Sequence, residues 1–173
     1  MVINRQKKII WILVLLIIIL FMVFTYCNME TFTENKDKAK VEILHNILKK
    51  VCIVLKDNNI PHYIDCGTLL GCVRENSIME HDTDVDVTVH LSMWNKLNSI
   101  NFEEYGLKRT RTFKEYPPGY LISVKLPDSD LYCDIYANPA FPKLTSKVMY
   151  GNTYSIPVNS ELYLTQLYIL FFF

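Results

Sequence analysis

Apolar positions divide the chain into three stretches. From Ile9 to Phe24 every residue is apolar, and Thr25, Tyr26 and Cys27 extend the run to 19 residues. As helix that is about 28 Å at 1.5 Å per residue, the thickness of a bilayer core. Residues 28–40 are polar with mixed charge, the composition of a short tether. Beyond them Val41, Leu44, Ile47, Leu48, Val51, Val54 and Leu55 recur at spacings of three and four, with Lys49, Lys50 and Lys56 largely off the stripe. That pattern predicts an amphipathic helix, ended by Asn58-Asn59-Ile60-Pro61.

Downstream the period shortens. His62 to Asp65 reads as a short strand, Thr68 to Arg74 as a short helix, and Asp84 to His90 as a strand by strict alternation. Ser92 is placed to cap a helix through Ser99. Strands over Tyr120–Leu126 and Leu131–Ala137 flank Pro127-Asp128-Ser129-Asp130, which has hairpin-turn chemistry. A last helix from Ser160 to Leu170 takes Asn159 or Ser160 as its cap. The terminal run Ile169-Leu170-Phe171-Phe172-Phe173 has neither polar cap nor breaker, and the chain is expected to be incomplete there.

With 173 residues, half of them apolar and 21% charged, the chain has material for one packed domain, which excludes a disordered or low-complexity protein. Its 18 basic and 18 acidic residues are unevenly placed. Arg5, Lys7 and Lys8 precede the apolar run and no acid does, so the positive-inside bias predicts a cytoplasmic N-terminus and an uncleaved type II anchor. The remaining 15 basic and 18 acidic residues, with no basic stripe, argue against nucleic acid as a partner. Five Cys show neither a dense framework nor C-x-x-C spacing, and their odd number leaves at least one thiol without an intrachain partner.

The most informative segment is His81-Asp82-Thr83-Asp84-Val85-Asp86-Val87-Thr88-Val89. Read as a strand, it puts Asp82, Asp84 and Asp86 on one face, roughly 7 Å apart step to step, and Val85, Val87 and Val89 on the other. Two carboxylates at that separation repel by about 2 kcal/mol at an effective dielectric near 20, a cost that a divalent cation removes. Oxygen-only ligands suit Mg²⁺ or Mn²⁺. Asp134, an acid inside the apolar Tyr132-Cys133-Asp134-Ile135-Tyr136, needs a partner that the same cation would supply. His81 beside this strand is an ion-pair partner rather than a catalyst. An acidic calcium-binding module is disfavoured, because the carboxylates alternate instead of encircling a twelve-residue loop.

Ahead of the acids, Gly67-Thr68-Leu69-Leu70-Gly71-Cys72-Val73-Arg74 brings a glycine and a hydroxyl to a helix start, where free N–H groups attract phosphate. Gly67 lets an anion approach, Thr68 caps the helix or touches the phosphate, and Arg74 either neutralises phosphate oxygens or pairs with Glu75 or Glu80.

Together these features resemble the nucleotidyltransferase fold, and Asp65 to Val87 closely resembles the LicD and fukutin-related phosphotransferases, whose signature is Gly-Thr-Leu-Leu-Gly-x-x-Arg followed by Asp-x-Asp-x-Asp. Asp134-Ile135 looks like that family's third-acid strand. Ser77, Glu80 and His81 stand where many members have Gly, Pro and Trp, and Thr83 replaces an Asp. The resemblance implies an α/β (α+β) domain with a mixed sheet and flanking helices over residues 41–173, which the apolar and charge pattern puts behind a tail of residues 1–8, a transmembrane helix over 9–27 and a stem over 28–40. It further implies transfer of a phospho-group, phosphocholine or a polyol phosphate, from a CDP-linked donor to a glycan or glycoprotein hydroxyl, in the secretory pathway and by inference the Golgi. Asp82, Asp84, Asp86 and Asp134 are then the catalytic acids, with Asp84, Asp86 and Asp134 on Mg²⁺ or Mn²⁺ and Gly67, Thr68 and Arg74 on the donor phosphate. The alternative is a truncated, inactive relative that acts by binding alone.

Overall fold

The computed structural model describes the backbone of residues 2–114 and 120–172 and, within these, the side chains of all but residues 2–14, 27, 30–34 and 170–172. Helix α1 runs Val2–Asp57. Residues 28–40 are therefore helical and not an irregular tether. The physical reason is in the sequence, which holds no Gly or Pro between Met1 and Asn58, so nothing interrupts the hydrogen-bond ladder. The chain divides into two compact units, Met1–Ala39 and Lys40–Phe173. Among the described residues no helix is long and apolar enough to cross a membrane. Of the expected span over 9–27, the side chains of residues 9–14 and 27 lie outside the described ones.

The second unit contains β1 (His62–Ile64), α2 (Cys66–Arg74), β2 (Asp84–His90), α3 (Trp94–Asn98), β3 (Lys108–Phe113), β4 (Tyr120–Lys125), β5 (Tyr132–Asn138), β6 (Leu144–Met149), β7 (Asn152–Pro157) and α4 (Ser160–Phe172). Five strands form a mixed sheet in the order β1-β2-β5-β4-β3, and β6-β7 form a separate ribbon. Only β2 and β5 are parallel; β1-β2, β5-β4 and β4-β3 are antiparallel. The fold is the expected mixed α/β sheet with flanking helices.

Alternation on β2 sorts the layers. Val85, Val87 and Val89 are wholly buried and share one core with the α1 stripe of Leu44, Ile47, Leu48, Val51, Val54 and Leu55. Cys133, which faces the valine side, lies close enough to Cys52 of α1 for the two thiols to influence each other. The opposite face of β2 carries Asp84, Asp86 and Thr88, and there α2 packs on β2 and on α4. Cys52, Cys66, Cys72 and Cys133 are free thiols; Cys27 lies outside the described side chains.

Three strands were not expected from the sequence. β3 is Lys-Arg-Thr-Arg-Thr-Phe and almost wholly exposed, so no apolar alternation marks it. β6 and β7 meet at Tyr150-Gly151, both with positive φ (49° and 70°) and flanked by the Met149–Asn152 pair, the backbone of a two-residue hairpin turn. Ser92 does not cap the helix after β2; it sits in a 3-10 turn, Leu91–Met93, whose cap is His90, with Nδ1 accepting from the Ser92 N–H at 3.2 Å.

Gly71 marks the tightest backbone approach. A Cβ there would stand 2.4 Å from the Ser77 carbonyl oxygen, while the Gly71 carbonyl accepts from the N–H groups of Glu75 (2.9 Å) and Ser77 (3.3 Å). Gly71→Ala should therefore destabilise the protein by about 1–3 kcal/mol through overpacking, although alanine is the better helix former. Urea unfolding monitored by circular dichroism measures this; an unchanged midpoint would mean that the turn after α2 yields freely.

Candidate functional site

Strand register builds the site. Asp86 lies opposite Asp134, Asp134 opposite Ser123, and Ser123 opposite Arg111. Directly opposed residues share a face, so these four side chains form a row across β2, β5, β4 and β3. Asp65, just beyond β1, continues the row by donating its N–H to the Asp86 carbonyl at 3.1 Å. One step along the strands, Asp84 lies opposite Tyr132 and Tyr132 opposite Lys125.

The turn from β1 into α2 is fastened by Asp65, a residue the sequence reading left without a role. Its carboxylate is buried and accepts from the Cys66 N–H (2.8 Å), the Thr88 hydroxyl (2.7 Å) and the Tyr163 hydroxyl (2.9 and 3.0 Å). Asp65 is thus the helix cap, one of the two parts expected of Thr68. Thr68 instead turns inward and accepts from the Asp86 N–H at 2.8 Å, pinning α2 to the acidic strand. α2 starts at Cys66, two residues earlier than expected, and Cys66 holds a φ of 47°. Burial and the carboxylates of Asp65, Asp86, Asp84 and Asp134 push the Cys66 thiol far up, so it stays protonated.

Gly67 sets its backbone beside the acids. A Cβ built on it would lie 3.6 Å from Asp82 Oδ2 and 3.8 Å from Asp86 Oδ2, ordinary contact distances. Asp82 is not in the strand, as β2 begins at Asp84; it lies in the preceding turn, its N–H bonded to the Met79 carbonyl at 3.1 Å. The fold still brings it to Gly67. Asp82 Oδ2 is buried with no hydrogen-bond partner, while its Oδ1 lies 3.7 Å from Nε2 of the exposed His81, the pairing expected of that histidine.

All four acids hold their protons more tightly than a free carboxylate. For Asp86 the rise is large, caused first by burial and then by the charges of Asp84, Asp134, Asp65 and Asp82. Burial raises Asp84, Asp82 and Asp134 as well, against opposing help from Arg111 at Asp84 and from His81 at Asp82. Asp134 is relieved by the Ser123 hydroxyl, which donates to Oδ1 at 2.5 Å, and by Arg111.

The structure thus gathers Gly67, Thr68, Asp82, Asp84, Asp86 and Asp134. Arg74 it does not: at the far end of α2, about 10 Å along the axis from Gly67, its guanidinium is exposed and bonded to Glu75 Oε1 at 2.9 Å. The surface ion pair is the reading that holds for Arg74. Arg111 is the arginine that faces Asp84 and Asp134. No sequence signal marked it, because its placement depends on β3 pairing.

For the expected Mg²⁺ or Mn²⁺, no group of three His, Cys, Asp or Glu side chains among the described residues is arranged so that it could hold a metal ion. The type of donor nevertheless suits a hard cation. The acids offer only oxygen, one buried carboxylate oxygen lacks any partner, the charge around Asp86 is raised by four neighbouring carboxylates, and the absent side chain of Gly67 leaves its backbone beside two of them.

Residues 59–155, more than half of the chain, match the family described as LicD/FKTN/FKRP, nucleotidyltransferase domain. An uncharacterised protein of Rickettsia typhi is 36% identical over 52 residues, 30% of this chain and 17% of that protein. One from Rickettsia prowazekii is 39% identical over 46 residues, 27% and 17%. The chain therefore matches under a fifth of the length of either relative. The solution structure of the antibiotic-resistance factor ANT(2'')-Ia is similar with a TM-score of 0.45 and 20% identity, over 70% of this chain and 66% of that one. Since the matched segment holds the α2 turn and all four acids, the chain belongs to the LicD/FKTN/FKRP nucleotidyltransferase-domain family.

Proposed function

We propose that the protein is a cation-dependent phosphotransferase, moving phosphocholine or a polyol phosphate from a CDP-linked donor to a glycan hydroxyl. Family membership supports a transferase at the coarse level; donor, acceptor and ion are this reading's own. The observation that carries it is the cluster of carboxylates around Asp86, only partly compensated, beside the backbone of Gly67. Such a cluster is costly unless a cation and the phosphates it brings complete it.

Asp84, Asp86 and Asp134 would hold Mg²⁺ or Mn²⁺, which supplies positive charge against the donor diphosphate. Gly67 admits a phosphate to the first N–H groups of α2, and Asp65 and Thr68 keep that turn in place on β2. Asp82 Oδ2, buried and raised in proton affinity, takes the proton of the attacking hydroxyl. The new O–P bond forms as the bond to CMP breaks, and CMP leaves with the electron pair.

The apolar helix over 9–27 we read as an anchor of type II topology, in the secretory pathway and by family resemblance the Golgi. Leu15 to Phe24 are about half or more exposed on all sides of the helix, and a helix apolar all round needs an apolar surrounding. Alkaline carbonate extraction of expressing cells should leave the chain in the membrane pellet; release into the supernatant would refute the anchor.

With the intact chain, Mg²⁺, a glycan acceptor and CDP-ribitol or CDP-choline, CMP release should be measurable and should fall about 10²-fold or more in Asp84→Asn and Asp86→Asn. Gly67→Ala should lose comparable activity while its melting midpoint holds or rises, since its Cβ meets no clash and alanine favours the helix. CMP release that survives these changes would reject the assignment. Donor binding by calorimetry without any CMP release would favour the binding-only relative.

A further inference from the structure

Arg111 owes its position to an irregularity. On a regular strand Arg109 and Arg111 would share a face. Here the β3-β4 register shifts between them, so that Arg109 opposes Val124 and Arg111 opposes Ser123, with Thr110 as the extra residue. Such a bulge re-aims a side chain, and the two arginines part. Arg109 stacks on Phe102, 5.3 Å from the ring centroid, and donates to the carbonyls of Asn98 and Ile100, both at 3.0 Å. Arg111 goes to the acidic face, its guanidinium carbon 5.0 Å from the Tyr132 ring centroid.

There it eases the ionisation of Asp84 and Asp134 yet forms a close ion pair with neither. The aromatic ring holds the planar guanidinium in one orientation, beside the acids and open to solvent. Lys125 stands on the same face in the adjacent row, with an exposed contact to Asp130 at 3.5 Å. The face therefore grades from acidic over β2 and β5 to basic over β4 and β3, about 14 Å across at the usual strand spacing. An anion approaching a row of carboxylates is repelled unless a fixed cation receives it, and a fork of N–H donors suits phosphate oxygens.

We propose that Arg111, propped on Tyr132 at the basic end of this face, binds a phosphate group of a substrate. The proposal rests on the transferase reading only in requiring that a phosphate-bearing substrate enters here. That phosphate belongs either to the CDP-linked donor or to an acceptor glycan that is itself phosphorylated.

The test has two arms, both on the intact chain. In the first, inorganic phosphate is titrated in EDTA and followed by ³¹P NMR, so that no cation-bridged binding contributes and no turnover is required. Arg111→Gln should weaken binding roughly tenfold or more, and Arg111→Lys should restore part of it, keeping charge without the planar fork. Arg111 is exposed, so both variants should melt as the parent does. In the second arm, steady-state CMP release assigns the source: a tenfold rise in KM confined to the CDP donor places the donor phosphate on Arg111, and one confined to a phosphorylated acceptor places the acceptor phosphate there. Phosphate binding that is absent in the parent, or equal in the parent and Arg111→Gln, overturns the proposal whether or not the protein turns over a CDP donor.

Discussion

Mutual repulsion among buried carboxylates governs this structure. Asp86 is surrounded by Asp84, Asp134, Asp65 and Asp82, and only some of that charge is answered from within. Asp65 is satisfied by three donors, and Asp134 has the Ser123 hydroxyl. Asp82 Oδ2 has nothing. A fold optimised for stability alone would replace such a group, because a buried carboxylate oxygen without a donor is costly unless the group takes up a proton.

What keeps the acids together is packing on the reverse of the same strands. Val85, Val87 and Val89 alternate with the acids and are locked into the core with α1, so a slip of register by one residue would exchange apolar and charged faces. Two hydrogen bonds then fix α2 against this strand, from the Asp86 N–H to Thr68 Oγ1 and from the Asp65 N–H to the Asp86 carbonyl. α4 joins through Tyr163, whose hydroxyl reaches Asp65 and Tyr63.

The parts legible in the sequence are those governed by local pattern. β2 begins and ends where alternation places it, the Pro127–Asp130 turn joins β4 to β5 antiparallel, and every residue expected in the α1 stripe from Leu44 onward is buried. Illegible parts depend on distant partners. Asp65 displaces Thr68 as the cap because Thr88 and Tyr163, 23 and 98 residues away, complete its carboxylate. Arg111 faces the acids because of a bulge in a strand with no apolar pattern. Arg74 was the more visible cation in sequence, but its helix ends beside Glu75 and not beside Gly67. The Gly-Thr turn and the acids were recognisable by their types and spacing; their joint geometry needed the fold.

Cation capture by the acidic face can be read from stability itself. Because Asp86 holds its proton more tightly folded than unfolded, the cation-free protein should lose stability as pH rises above the ordinary carboxylate value, the folded state binding the extra proton. At neutral pH the decisive measurement is the melting midpoint of the intact chain and of Asp86→Asn, each in EDTA and in Mg²⁺. The account predicts that the variant melts above the parent in EDTA, that Mg²⁺ raises the parent, and that Mg²⁺ leaves the variant unmoved. A variant that melts below the parent in EDTA, or an equal Mg²⁺ shift in both, would contradict it.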